Sequence, residues 1–368
     1  MERKVLILTD GKAGHENQSK AFARALGCEY DLVEVHFKSK FAKALSYLFD
    51  RFGLLSLSLL QSNNRTIEQS NNSYSAVIGT GSGTFYAAKA LARRLGVKCG
   101  VVLYPRGYRI STFDCVLAPA FDNPAKAPNV IEIPANLVAN DEAFYAKGVA
   151  AFWERRGGGQ QADDNKAAEH ARRGEGQQAD DSKAAEHARV GDGNKRAAVA
   201  VIVGGPNKCS TMTPEWMKGE LTRIFTENGH PAFQSNNRTI EQSNNSSVEF
   251  WVTTSRRTPP EVEAVVDSYP WDYRLLYSKD HFNPIPAFVK LAKRLYVTAE
   301  STGMLSESCT FGTADVVALD NLKPGPHKFR RFGENLRAAG YVDGTRKVDL
   351  SAQFAAARKL LGFSTSGR

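Results

Sequence analysis

Lys4-Val5-Leu6-Ile7-Leu8-Thr9-Asp10-Gly11-Lys12-Ala13-Gly14-His15-Glu16-Asn17-Gln18 decides the fold. Val5 to Leu8 is a compact apolar run, as expected of a strand covered on both faces. A polar turn with Gly11 and Gly14 follows, and Asn17 to Leu26 reads as a helix. Outward from this unit the alternation continues. Leu32 to His36 reads as a strand, and Phe41 to Leu60 as a helix with Phe41, Leu45, Leu48 and Phe52 on one face. Ala76 to Ile78 is a strand, Thr84 to Leu95 a helix, and Val101 to Tyr104, Cys115 to Ala118 and Val130 to Ile133 are strands. Strands and helices alternating through short glycine-bearing turns predict a parallel sheet with helices on both sides.

The pattern breaks after Trp153. Residues 157–196 are polar and carry a tandem repeat, GQQADDNKAAEHAR from Gly159 and GQQADDSKAAEHAR from Gly176. Two polar copies cannot stack apolar faces as a solenoid does, so they read as an expanded linker, and His170 and His187 within it as solvent-exposed rather than metal-binding. A second repeat, QSNNRTIEQSNNS, stands at 61–73 and again at 234–246, each time before a strand, and reads as a pair of surface-loop extensions. From Ala197 the alternation restarts. Strands are expected at Ala197 to Val203, Val248 to Thr253, Arg274 to Tyr277, Arg294 to Val297 and Val316 to Leu319, separated by helices; His327 to Ala339 and Leu350 to Leu361 are helical. The expected organisation is an α/β chain of two doubly wound Rossmann-like domains facing a cleft. An N-terminal domain spans 1–153, a polar linker 154–196 and a C-terminal domain 197–325. C-terminal helices at 326–368 pack back across the cleft. Ligands of such sheets sit at the carboxyl ends of the strands.

Composition sets the outer bounds. The 368 residues exceed what one hydrophobic core usually supports, and 42% hydrophobic with 24% charged residues is a globular balance. The net charge of +9 favours anionic partners, phosphates among them, but no aromatic side chains interleave with a basic stripe, so nucleic acid is not expected. Five scattered cysteines without CxxC spacing argue against a disulfide framework or a zinc site. The N-terminus lacks the features of a secretory signal, and no apolar run reaches the length of a membrane span. The expected location is cytoplasmic, at most peripheral to a membrane.

Five strand-to-helix turns carry the candidate chemistry. The first is Asp10 to Gln18, where Gly11 and Gly14 let backbone approach a ligand and Asp10 or His15 is a candidate general base. The second is Gly79 to Thr84, where Gly81, Ser82 and Gly83 form a backbone cradle for acceptor or phosphate; Arg106 ends the next strand on the same edge. The third is Gly204-Gly205-Pro206-Asn207-Lys208. The fourth, Thr253 to Glu261, sets Ser255, Arg256 and Arg257 before a helix that Thr258 is expected to cap, placing both arginines to hold phosphate. The fifth, Glu300 to Gly312, starts a helix at Ser301 and Thr302 and carries Glu307 as its one internal acid, suited to a ribose diol. Neither a GxGxxG nor a Walker loop is present, so no dinucleotide or other cofactor is expected, and no metal.

Taken together, DGKAGHENQ, GTGSGT, GGPNK, TSRRTPPE, NPIPAF, STGMLSES and KFRRF resemble the mitochondrial-fission (elongated mitochondria) family, whose bacterial members often carry the label of nucleoside-diphosphate-sugar epimerases. The resemblance covers both halves and leaves out the 61–73, 157–196 and 234–246 insertions. That family is similar in layout to the peptidoglycan glycosyltransferase that adds N-acetylglucosamine to a lipid carrier. In that enzyme a Gly-Gly-His loop opens the first domain, and a glutamate five residues before a glycine grips the ribose; Gly14-His15 and the Glu307 to Gly312 spacing match these features in part. Glu300, Gly303 and Thr313 depart from the pattern, which has aspartate, serine and proline near those places. The resemblance implies a glycosyltransferase-B fold with the acceptor on residues 1–153 and the nucleotide-sugar on residues 197–325, and a metal-independent transferase that takes a nucleotide-sugar donor and an envelope or lipid-linked acceptor. Two rivals stand beside it. One is a sugar-nucleotide epimerase on the same fold. The other is a non-catalytic scaffold that lies on an anionic membrane through the stretch from Lys38 to Leu60, where Lys38, Lys40, Lys43 and Arg51 interleave with apolar residues.

Overall fold

The computed structural model describes residues 3–62, 74–171, 197–233 and 248–363. The two copies of QSNNRTIEQSNNS, the second tandem repeat and His187 fall almost wholly outside them, and the side chain of His170 does too. Strands β1 (Lys4–Thr9), β2 (Glu29–Phe37), β3 (Leu60–Ser62), β4 (Ala76–Thr80), β5 (Lys98–Val102), β6 (Cys115–Pro119) and β7 (Val130–Ile133) form one sheet in the order β3-β2-β1-β4-β5-β6-β7. All neighbours are parallel except the edge pair β2 and β3. Strands β8 (Ala197–Val203), β9 (Val248–Thr254), β10 (Tyr273–Leu275), β11 (Ala292–Thr298) and β12 (Asp315–Leu319) form a second, wholly parallel sheet in the order β10-β9-β8-β11-β12. Each sheet reverses its winding once, between β1 and β4 in the first and between β8 and β11 in the second. These are the two switch points at which an open α/β sheet leaves a crevice. Two such parallel α/β sheets are the arrangement of the glycosyltransferase-B fold.

The continuous apolar run of β1 serves both faces. Val5 and Ile7 enter one core cluster and Leu6 and Leu8 another, as period-two alternation requires in a strand covered on both sides. Helices α1 (Ala13–Leu26), α2 (Lys40–Arg51) and α3 (Phe85–Leu95) cover the first sheet. α2 ends earlier than the apolar pattern suggested. Gly53 takes a left-handed φ of +72°, and Leu54 N–H closes back on the Phe49 carbonyl. Beyond that turn, Leu55, Leu57, Leu59 and Leu60 pack on the core as a short turn and the antiparallel edge strand β3 rather than as more helix.

Helix α4 (Glu142–Ala171) runs across the expected break at Trp153, so the stretch read as a linker from 154 begins as helix. The reason lies in what it carries: Phe152 is fully buried among Trp251, Tyr273 and Phe288 of the second half, and Arg156 pairs with Glu249 at 2.7 Å. Further helices α5 (Pro214–Glu227), α6 (Pro260–Asp267), α7 (Ile285–Leu291) and α8 (Thr302–Phe311) flank the second sheet. The last two helices, α9 (Lys328–Ala338) and α10 (Ser351–Leu360), return to the first half. Phe332 meets Phe121 edge-on at 5.1 Å, Arg331 Nε donates to the Phe121 carbonyl, and Arg358 Nε donates to the Ala25 carbonyl at 2.9 Å. One buried cluster consequently runs unbroken from Val5 and Phe22 through Phe152 and Phe332 to Ala200.

Candidate functional site

In the first half, β1 delivers Asp10 to the switch point and Gly11 turns away at φ +77°, the left-handed region open to glycine at little cost. One turn into α1, His15 swings back so that its Nδ1 lies 2.9 Å from Asp10 Oδ1. Lys12 Nζ donates to Asp10 Oδ2 at 2.7 Å. Burial works to raise the Asp10 carboxyl, but the hydrogen bond from Lys12 and the interactions with His15 outweigh it, so the group is held below its ordinary value and stays ionised. An ionised carboxylate only accepts, so His15 Nδ1 carries a proton, and in the neutral imidazole this tautomer puts the lone pair on Nε2. The glycine loop after β4 closes on this pair. A Cβ at Gly81 would lie 2.3–2.9 Å from the His15 ring, and one at Gly83 would lie 2.7 Å from Asp10 Cβ. Two turns identified separately in the sequence are thus one site. Ser19 Oγ and Thr80 Oγ1, 2.6 Å apart and buried, fasten α1 to β4 behind it.

Three residues of this site were missed. Glu34 and His36, two apart on β2, form a pair at 2.8 Å, and Glu34 Oε1 would lie 3.0 Å from a Cβ at Gly11. Lys43 Nζ reaches from α2 to Ser82 Oγ at 3.0 Å. The available signal was strand β2 ending in two polar residues on one face beside the strand that opens the site. Gly14 is exposed in the first turn of α1. Arg106 is exposed too, lying over the Tyr104 ring and donating to the Asp122 carbonyl.

In the second half, Gly204 and Gly205 follow β8, and a side chain fits at neither. A Cβ on Gly204 would lie 2.0 Å from Glu300 Oε1, and one on Gly205 would lie 2.3–2.4 Å from the backbone and Cβ of Arg257. Glu300 organises the switch point from within. Buried at the end of β11, it accepts from Gly205 N–H at 2.9 Å, Thr298 Oγ1 at 3.0 Å and Asn321 Nδ2 at 2.7 Å. Burial raises its carboxyl above the usual range against the pull of these bonds. Thr258 does not cap the next helix. Pro259 is the cap residue, and Thr258 Oγ1 instead donates to the Gly204 carbonyl at 2.6 Å while accepting from Ser255 N–H at 2.9 Å. Prolines at 259 and 260 lack N–H groups, Val262 and Glu263 N–H are spent on the Pro259 carbonyl, and Glu261 and Glu263 place negative charge in the first turn. An anion here depends on the arginine side chains rather than on the end of α6.

Ser255, Arg256, Arg257, Gly204 and Ser301 line a cavity of about 380 Å³. Tyr277 and His281, tilted against each other with ring centroids 4.5 Å apart, and Asn283 also line it; none of the three was among the candidate site residues, although Asn283 opens the NPIPAF motif. Their signal was weak because they sit in a connection between short elements, outside any glycine turn. Lys208 is exposed and, like Thr302, is not among the cavity residues. Glu307 also lies off the cavity: its carboxylate accepts from Tyr145 OH at 2.8 Å and Asn140 Nδ2 at 3.2 Å, tying α8 to the start of α4. Burial raises the Glu307 carboxyl, with the two hydrogen bonds opposing.

Solved structures similar to this chain include MurG of Acinetobacter baumannii, 13% identical over 98% of this chain and 93% of that one, with a TM-score of 0.43. A UDP-glucosyltransferase of Polygonum tinctorium is 10% identical over 100% and 96% of the two chains, with a TM-score of 0.44. A UDP-GlcNAc 2-epimerase of Neisseria meningitidis bound to UDP-GlcNAc is 10% identical over 98% of each chain, with a TM-score of 0.42. No curated protein matches significantly in sequence. The family model described as Mitochondrial fission ELM1 matches residues 13–358, and the chain belongs to that family.

Proposed function

We propose that the protein is a glycosyltransferase that binds a nucleotide-sugar in its second half and transfers the sugar to an envelope or lipid-linked hydroxyl held at its first half. The observation that carries the reading is that complementary chemistry stands at the two switch points: an oriented Asp10–His15 pair at one and an arginine-lined cavity at the other. His15 Nε2 takes the proton of the acceptor hydroxyl, and Asp10 stabilises the imidazolium that results. The hydroxyl oxygen attacks the anomeric carbon, and the bond to the diphosphate breaks with its electron pair on the leaving oxygen. Arg256 and Arg257 hold that developing charge. Gly204 brings backbone to the cavity wall, Gly205 lets Arg257 pack close behind it, and Ser301 presents the start of α8 to the ligand. The working location is cytoplasmic.

The test is thermal-shift binding with a panel of nucleotides and nucleotide-sugars, with Arg256→Ala and Arg257→Ala as controls. A ligand that binds the folded state raises the melting temperature. A shift with one nucleotide-sugar, lost in the arginine variants, supports the donor site; no shift with any member of the panel sinks it. Turnover of a bound nucleotide-sugar without any acceptor would replace transfer by epimerisation.

A further inference from the structure

Outside both half-sites, α2 and the turn after it carry an apolar face that no other described residue covers. Phe41 is 76% exposed, Leu48 51%, Phe52 70% and Leu54 55%; these are four of the eight exposed large hydrophobic side chains among the described residues, gathered within fourteen consecutive positions. At about 100° per residue, Phe41, Leu48 and Phe52 fall on one side of the helix. Ala42, Ser46 and Asp50 point inward and are buried.

The charge on this element is one-sided. Its only acid, Asp50, is buried and consumed: Lys89 Nζ lies 2.6 Å from Oδ1, and Arg109 N–H donates to Oδ2 at 2.6 Å. What faces solvent beside the apolar stripe is Lys38, Lys40 and Arg51, with Arg93 donating to the Gly53 carbonyl at the turn. No described helix is long and apolar enough to cross a membrane. An exposed apolar stripe whose own element presents only cations to solvent has the chemistry of an interfacial anchor rather than of a protein interface rimmed by both signs.

We infer that the face made by Phe41, Leu48, Phe52 and Leu54, with Lys38, Lys40 and Arg51 beside it, docks the protein on an anionic lipid bilayer. The apolar side chains enter the boundary between headgroups and acyl chains, and the cations meet the lipid phosphates. Because Lys43 on the same helix reaches Ser82 of the glycine loop at 3.0 Å, docking sets the Asp10–His15 pair close to the lipid surface. The anchor itself does not depend on the nucleotide-sugar reading: vesicle binding is measured without nucleotide, and nucleotide binding without vesicles.

The experiment is flotation with vesicles of phosphatidylcholine alone and of phosphatidylcholine with phosphatidylglycerol. The full chain is expected to float with the anionic vesicles and not with the neutral ones. Phe41→Ser with Phe52→Ser should weaken partition by roughly tenfold or more, given the apolar area each aromatic removes from water. Lys40→Glu or Arg51→Glu should each weaken it by about fivefold at low salt. All four side chains are exposed, so melting temperatures should stay at the wild-type value and separate loss of docking from loss of fold. Flotation of the double serine variant as strong as that of the wild type overturns the proposal. So does a wild-type chain that ignores anionic vesicles and sediments as a dimer that the serine variant breaks, because the face would then belong to a second copy.

Discussion

Gly205→Ala tests whether the arginine cavity is a built site. The added Cβ would lie 2.3–2.4 Å from Arg257 backbone and side-chain atoms, where ordinary contact begins at 3.4 Å, so something must move by about 1 Å. Neither side yields freely. Gly205 N–H is held by Glu300, and the Ser255 to Thr258 turn is pinned to the Gly204 carbonyl by Thr258. Overpacking of this kind costs about 1–3 kcal/mol of stability. A displacement of about 1 Å in groups that must meet a diphosphate costs on the order of a hundredfold in function. The assay pairs urea unfolding with calorimetric titration of the nucleotide that gives the largest thermal shift. Gly219→Ala is the internal control. It lies in the exposed middle of α5 with nothing within 4 Å of an added Cβ, and it should stabilise by about 0.5–1 kcal/mol with unchanged affinity. A Gly205→Ala protein with wild-type stability and wild-type affinity would refute the account of the crowded turn and of the cavity together.

Asp10→Asn removes the group that fixes the His15 tautomer, and release of nucleoside diphosphate from the donor should slow by about 10²–10⁴-fold with donor affinity unchanged; a rate within a few-fold of wild type removes the pair from the mechanism. Glu307→Gln keeps an acceptor for Tyr145 but no buried charge. Because burial raises the folded carboxyl of Glu307, the native state holds its proton to higher pH than the unfolded chain, and this group's contribution falls as pH rises from the ordinary carboxylate range through the folded value. The variant should therefore exceed wild type in stability above that window and match it below, as read by unfolding at several pH values; a constant difference at every pH contradicts this. Lys89→Met strands Asp50 in the core and should cost about 3–5 kcal/mol in urea unfolding, with much of it recovered when Asp50 is replaced by leucine as well; a loss under about 1 kcal/mol would show that Asp50 finds other solvation.

The half-sites were legible where a strand ends in a glycine turn. Val5 to Leu8 running into Asp10-Gly11 and Ala197 to Val203 running into Gly204-Gly205 announce both the parallel sheets and their crevices, because period and turn chemistry agree there. What the sequence could not rank was side-chain destination. Glu307 has the spacing of a ribose ligand, yet Tyr145 and Asn140, more than 160 positions earlier, claim its carboxylate. Glu300 looked like a departure from a pattern and is the buried hub of the second turn. The extent of α4 was hidden for the same reason: composition fell away after Trp153, but what holds the helix there is the distant aromatic cage around Phe152.

The return of α10 to α1 has a consequence for synthesis. Leu361 and Arg358 close the surface beside Phe22, Gly100 and Ala25, so the first sheet, made early, waits for the last helix to emerge before it is fully covered. At about 5–20 residues per second the rest of the chain takes on the order of ten seconds or more to appear. During that interval the nascent first half presents an apolar face to its surroundings, and a variant that stops before Ser351 would leave the same face bare.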